Sequence, residues 1–182
     1  MITAAAILAA GRSKRFGSTN KLLAMCDGKP LAEYAIQSVK SLNVNLYVAA
    51  VSDDHVGDLL PSFELIKVKG TQSDSLKACV THARAKGADR LLVVLADMPF
   101  VETCDLQKLM ESDPNRVSAL TDGTIISVPA CFPSAVFDQL LMLEGEKGAR
   151  DILRQKETQL IHVQPKTLID IDTPETHARY FG

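Results

Sequence analysis

Apolar residues in this chain fall into two patterns. Some stand in short unbroken runs, and others recur every three or four positions within mixed stretches. Short apolar runs read as strands buried on both faces, and the longer period reads as amphipathic helix. On that reading strands occupy residues 3–8, 45–51, 64–68, 90–95 and 117–120, with helices at 30–42, 54–60, 73–86 and 104–112. Such alternation predicts an α/β fold of three layers, a mostly parallel central sheet with helices on both faces. Pro30 suits a first helical turn and Pro99 a turn. Ser73, ahead of an apolar-periodic stretch, is placed to cap a helix. After Leu120 the alternation loosens. Thr121-Asp122-Gly123-Thr124 reads as a turn, and residues 125–128 and 130–132 read as short strands extending the sheet. Helices follow at 134–143 and 148–155, then a last strand at 159–163. Thr173-Pro174-Glu175 has the cap and first turn of a C-terminal helix. Without an internal repeat, a low-complexity tract or a linker rich in Gly, Pro or Ser, residues 1–182 read as a single domain.

Composition narrows the uses of such a fold. The 182 residues are 46% apolar and 23% charged, which suits one soluble domain with one sizeable core. A net charge of −2 and a pI near 6.1 give no global attraction to nucleic acid or to an anionic membrane, so neither is expected as a partner. The apolar N-terminus is short and lacks a basic flank. It reads as the first buried strand rather than a signal peptide or membrane helix. Cys26, Cys79, Cys104 and Cys131 stand far apart, with no C-x-x-C pair and no neighbouring histidine, which argues against a zinc site and gives no disulfide framework. Reduced thiols and a cytoplasmic location are the expectation. His55, His82, His162 and His177 are scattered and read as surface or partly buried side chains rather than ligands.

Phosphate chemistry then needs a local cluster of cations, and the loop after the first strand holds one. In open α/β sheets ligands bind beyond the carboxyl ends of the strands. There the chain reads Leu8-Ala9-Ala10-Gly11-Arg12-Ser13-Lys14-Arg15-Phe16-Gly17-Ser18-Thr19-Asn20-Lys21. Small residues let backbone N–H groups approach a ligand, and Arg12, Lys14, Arg15 and Lys21 add fixed charge. Five residues separate Gly11 from Gly17 and no Lys-Ser/Thr follows, so this is not a Walker A loop. The G-x-G-x-x-G of dinucleotide enzymes is also missing, which weakens a dehydrogenase reading. Asp97 stands just past the apolar run 91–95, where a carboxylate can hold a hard cation or simply cap the next turn. Asp170 and Asp172 share a face if that backbone is extended, although Asp172 or Thr173 also suits an N-cap. The polar loop Gly70-Thr71-Gln72-Ser73-Asp74-Ser75 offers backbone and hydroxyl groups to a base or ribose. Arg150 opens a helix in Gly145-Glu146-Lys147-Gly148-Ala149-Arg150, against the helix dipole, so an anion should compensate it. An acceptor phosphate, Glu146 and Asp151 are the candidates.

Together these residues resemble the MobA-like NTP transferases, most closely the molybdenum-cofactor cytidylyltransferase branch. The match runs through Leu8–Gly11 with Arg15, Gly17 and Lys21, then Asp97-Met98-Pro99, then residues 145–150 and 170–175. The resemblance implies a Rossmann-like nucleotidyltransferase fold that uses magnesium. The implied reaction moves a nucleotide from an NTP to the terminal phosphate of molybdopterin or a related acceptor. It implies that Leu8, Ala9, Ala10, Gly11, Arg12, Ser13 and Gly17 lie along the nucleotide with Gly70 and Ser75. It also makes Arg15, Lys21 and Asp97 the catalytic residues, the two cations gripping the triphosphate. Magnesium would go to Asp97 with Asp170 or Asp172, and the acceptor to Arg150. Leu-Ala-Ala-Gly at 8–11 is the form of the CTP branch, whereas the GTP branch tends to Leu-Ala-Gly-Gly, so CTP is favoured over GTP. The chain departs from the family at Ile126-Ser127-Val128-Pro129, where a Gly-His-Pro-like turn is usual, and at Gly145-Glu146, where Gly-Asp is usual. Both departures fall in acceptor territory.

An acceptor phosphate is already ionised at neutral pH, so no Ser-His or Cys-His nucleophile system is required, and none is found. The acceptor oxygen would attack the α-phosphorus in line as pyrophosphate departs, with catalysis by positioning and charge stabilisation. A molybdoenzyme or its chaperone is a further expected partner. Two other readings stay open: a sugar- or polyol-phosphate nucleotidyltransferase, and a non-catalytic nucleotide-binding module of molybdoenzyme maturation.

Overall fold

The computed structural model describes residues 1–11, 14–16, 20–145 and 149–182, Lys14 by its backbone alone. The first strand, β1 (Thr3–Ala9), is buried along its whole length. Two 3-10 turns follow, Lys14–Phe16 and Lys21–Leu23, then a hairpin of β2 (Met25–Cys26) and β3 (Lys29–Pro30). The chain continues through α1 (Leu31–Lys40), β4 (Leu46–Val51), α2 (Asp54–Asp58), β5 (Glu64–Lys67), α3 (Gln72–Ala85), β6 (Arg90–Leu95) and α4 (Thr103–Glu111). After them come β7 (Ser118–Thr121), β8 (Ile126–Pro133), α5 (Phe137–Leu141), α6 (Arg150–Leu153), β9 (Gln159–His162) and α7 (Pro174–Phe181).

The main sheet has seven strands in the order β5-β4-β1-β6-β8-β7-β9. β4, β1 and β6 pair in parallel at its centre, with β5 parallel outside β4. Only β8 among these strands runs antiparallel, to β6 on one side and β7 on the other, and β9 returns parallel to β7. The predicted mostly parallel, three-layer α/β sheet is therefore the observed one. Alternation along β1 sends Ala5, Ile7 and Ala9 into one core with α1, α2 and α4, and Ala4, Ala6 and Leu8 into another with α3, α5 and α6. Two covered faces explain why the central strands read as unbroken apolar runs.

Several boundaries differ for local physical reasons. The expected cap Ser73 lies inside α3, and the cap is Thr71. Its hydroxyl accepts from Asp74 N at 3.3 Å while the Asp74 carboxylate accepts from Thr71 N at 2.8 Å. Pro30 closes the β2–β3 hairpin and precedes α1 instead of lying in its first turn. Residues 125–133 do not form two short strands. Residues 126–133 form one strand, β8, interrupted by a register shift opposite Ala119 and Leu120 that leaves Val128 and the cis-bonded Pro129 unpaired with β7. The segments expected as helices at 134–143 and 148–155 shorten to α5, preceded by a 3-10 turn, and α6.

Candidate functional site

The carboxyl ends of β1 and β6, with the loop between β5 and α3, open onto one cleft of about 530 Å³. Ala96 N donates to Leu8 O at 3.2 Å, which carries the β1–β6 pairing one step past the strand end and delivers Asp97 beside the β1 loop. Ile171 N then donates to Asp97 O at 2.9 Å, drawing the C-terminal segment alongside. Ile171 is fully buried against Cys26 and Leu31, so Asp170 and Asp172 on either side of it both reach the cleft. The same-face arrangement expected from extended backbone is thus realised.

A line of alternating charge runs across the cleft. Lys21 Nζ donates to Asp97 Oδ2 and to Asp172 Oδ1, each at 2.5 Å, and Arg15 Nη2 donates to Asp172 Oδ2 at 2.7 Å. The Lys21 side chain is 9% exposed, and Arg15 at the mouth is 67% exposed. Burial alone would lower the Lys21 pKa. Asp97 and Asp172 outweigh it and hold the ammonium above its ordinary pKa, so the line stays charged. Burial likewise works against ionised Asp172, but the bonds from Lys21 and Arg15 prevail and hold its carboxyl below the usual range. Asp170 moves the other way: lost hydration, followed by the neighbouring carboxylates of Asp172 and Asp97, pushes its carboxyl up.

The walls differ in character. Leu8, Ala10, Gly11, Gly70, Thr71, Gln72 and Ser75 form one side, rich in small residues and hydroxyl or amide groups. Val93, Leu95, Val128, Phe132 and Leu153 form a more apolar floor, edged by Ser127 and by Arg150. A Cβ added at Gly11 would meet nothing within 4 Å, so the backbone there is open to a ligand. For a hard cation the fitting observation is Asp97 Oδ1, a buried oxygen with no hydrogen-bond partner among the described residues, next to the carboxylates of Asp170 and Asp172. Among the described residues no group of three or more His, Cys, Asp or Glu side chains is arranged to hold a metal by itself. Magnesium does not require one, since it takes one or two carboxylates plus substrate phosphates. Among the described residues, no helix is long and apolar enough to cross a membrane.

Of the residues singled out from sequence, Leu8, Ala10, Gly11, Arg15, Lys21, Gly70, Ser75, Asp97, Arg150, Asp170 and Asp172 all line this cleft. Ala9 does not, because strand alternation turns its side chain into the core on the α1 face. Arg12, Ser13 and Gly17 lie outside the described residues. Sequence reasoning gave no site role to Asp53, which accepts from Asn20 of the β1 loop at 3.0 Å, or to the cleft residues Leu22, Leu76 and Phe132. For Asp53 the available signal was its place just beyond the carboxyl end of β4.

Residues 5–160 match the family described as the MobA-like NTP transferase domain. The purine catabolism protein PucB of Bacillus subtilis (strain 168) is 25% identical over 188 residues, covering 93% of this chain and 91% of PucB. The bifunctional protein GlmU of Neisseria gonorrhoeae is 29% identical over 123 residues, 64% of this chain, so the match spans only 26% of GlmU. Among solved structures, Rv0371c from Mycobacterium tuberculosis H37Rv superposes with a TM-score of 0.85 at 20% identity, over 98% of this chain and 97% of that one. A complex of Rv0371c with manganese superposes with a TM-score of 0.85 at 18% identity, over 100% of this chain and 98% of that one.

Proposed function

The chain belongs to the MobA-like NTP transferase family, and from that premise we propose that it transfers CMP from CTP to a phosphorylated acceptor, molybdopterin in the first instance, releasing pyrophosphate. The observation that carries this reading is the charge line Arg15–Asp172–Lys21–Asp97 across a cleft whose one wall is small and polar. Leu8, Ala10, Gly11, Gly70 and Ser75 line the nucleotide; Arg12, Ser13 and Gly17, nucleotide-binding on the sequence reading, lie outside the described residues. Arg15 and Lys21 bind the triphosphate and stabilise charge developing on the departing pyrophosphate. Arg150, at the far rim, takes the acceptor phosphate. The acceptor needs no general base, so the chain's work is to align an ionised phosphate with the α-phosphorus and keep water out. Asp97, with Asp170 or Asp172, would hold magnesium, which when bound supplies charge neutralisation for the phosphate oxygens.

The test is pyrophosphate release with magnesium, each of CTP, GTP, ATP and UTP, and a panel of molybdopterin, sugar phosphates and polyol phosphates. Release with CTP and molybdopterin is the expected result. Release with GTP moves the chain to the guanylyl branch, and release only with a sugar or polyol phosphate reassigns the acceptor. Silence with every pair, despite measurable NTP binding, favours a non-catalytic nucleotide-binding module. Asp97→Asn should lower kcat by about 10²–10³, the usual cost of losing a transition-state stabiliser, while KM for CTP moves only a few-fold. Unchanged turnover in that variant would remove Asp97 from the site.

A further inference from the structure

Lys21 is a demanding residue to place. It sits on no strand and opens a 3-10 turn of only three residues, yet its ammonium must land between Asp97 and Asp172. A turn this short has little stability of its own. Its start is fixed by Asn20, whose side-chain Oδ1 accepts from Leu22 N at 3.1 Å and whose backbone O accepts from Leu23 N at 3.0 Å. Leu22, 2% exposed, anchors the turn in the core.

Asn20 is itself fastened to the sheet. Its Nδ2 donates to Asp53 Oδ2 at 3.0 Å. Asp53 stands two residues past β4, the strand next to β1, and caps α2 by accepting from His55 N at 2.9 Å on its other oxygen. The carboxylate therefore joins three things: the end of a central strand, the start of α2 and the turn that carries Lys21. The Asn20 donation outweighs the opposing burial and holds the Asp53 carboxyl below its ordinary range. Lys21 is thus fixed at both ends, by carboxylates at its ammonium and by an amide–carboxylate bond next to its backbone.

We propose that Asn20 and Asp53 are positioning residues: their side-chain bond sets the turn at Lys21 against the end of β4, so that the ammonium meets the triphosphate in register. The inference rests on the reading that Lys21 binds the triphosphate. A misplacement of about 1 Å in a binding group is enough to cost orders of magnitude in rate, so the bond matters out of proportion to its own strength.

Substitution can cut the tether while leaving the cap. Asn20→Ser keeps an oxygen for Leu22 N and adds no charge, but its hydroxyl is one bond shorter than the amide and stops short of Asp53. Asn20→Asp also keeps the cap oxygen but sets two carboxylates face to face. Combining Asn20→Asp with Asp53→Asn restores a donor–acceptor pair in the reverse sense and still caps α2. In the full chain, kcat/KM for CTP should fall about tenfold or more in Asn20→Ser and Asn20→Asp, and return to within about threefold of wild type in the double variant. Calorimetric affinity should weaken for CTP and stay unchanged for CMP, which lacks the β- and γ-phosphates. General loosening would move both nucleotides together and would overturn the inference. So would a wild-type Asn20→Ser, or a double variant no better than Asn20→Asp. Lys21→Ala is the reference. If it keeps the wild-type rate, the reading of Lys21 fails. If it is inactive while Asn20→Ser is normal, the positioning role alone falls.

Discussion

Cys26, Cys79 and Cys131 are all buried, and burial pushes their thiols up to about 11, about 12 and about 11, while Cys104 is exposed. A raised pKa means that the protonated, unreactive form prevails far above neutral pH, and only the thiolate attacks a disulfide reagent. At pH 8 the folded protein should therefore release one equivalent of thionitrobenzoate quickly from Cys104, and all four only after unfolding in guanidinium. Rapid reaction of two or more thiols in the native state would show that a core thiol is reached by solvent. The same scale shows what a sequence does and does not reveal of a site. Asp97 and the β1 loop were legible because they combine charge or glycine with a strand's carboxyl end. Asn20 carries no charge, so it stood out in no tally. The contact of Lys21 with Asp172 spans 151 residues, and no spacing rule reaches that far.

Among the elements, the start of α3 couples local stability to the shape of the cleft. A Cβ at Gly70 would lie 2.3 Å from Asp74 Oδ2 and 2.9 Å from Asp74 Cβ, so only glycine lets that carboxylate fold back onto Thr71 N. Gly70→Ala should break the reciprocal cap, costing about 1 kcal/mol. In a domain of this size that is a fall in Tm of roughly 2–4 °C, read by thermal denaturation. On the proposed function KM for CTP should rise with it, because Gly70, Thr71 and Ser75 line the cleft. An unchanged Tm would mean that Asp74 finds an equivalent partner. This cap was displaced by two residues in the sequence reading because Ser73 and Thr71 are equally able to cap, and only the position of Asp74 decides. β1, β4 and β6 were legible because a strand covered on both faces has no polar phase to confuse. β2 and β3, two residues each, are too short to show a period. Asp27-Gly28 is their one trace, with φ of 48° and 87° in the left-handed region. β8 read as two pieces because Val128 and Pro129 bulge out of its pairing with β7.

For the molecule as a whole, the C-terminal helix acts as a clasp. None of its residues is buried, yet Phe181 and Tyr180 pack on Phe100 at 5.7 and 5.2 Å, Phe181 meets Tyr34 at 5.7 Å, and His177 meets Phe16 at 6.0 Å. Four such ring contacts are worth about 3 kcal/mol together. A chain ending at Thr173 should still fold, since the matched family region stops at residue 160, but with Tm lowered by roughly 6–12 °C. It should also bind CTP more weakly, because Asp172 would hang from an untied segment. Equal CTP affinity in the shortened chain would show that Ile171, buried beside Cys26 and Leu31, holds Asp172 without help.

Arg15 and Lys21 leave the ribosome long before Asp172 follows. Their bonds close a circuit of 157 and 151 positions, against the sequence-local pairing that makes other parts of a chain quick to settle. Sheet and helices can therefore condense on a nascent chain while the charge line across the cleft is still open. A chain stalled or cut before Asp172 would carry the sheet without the assembled charge line.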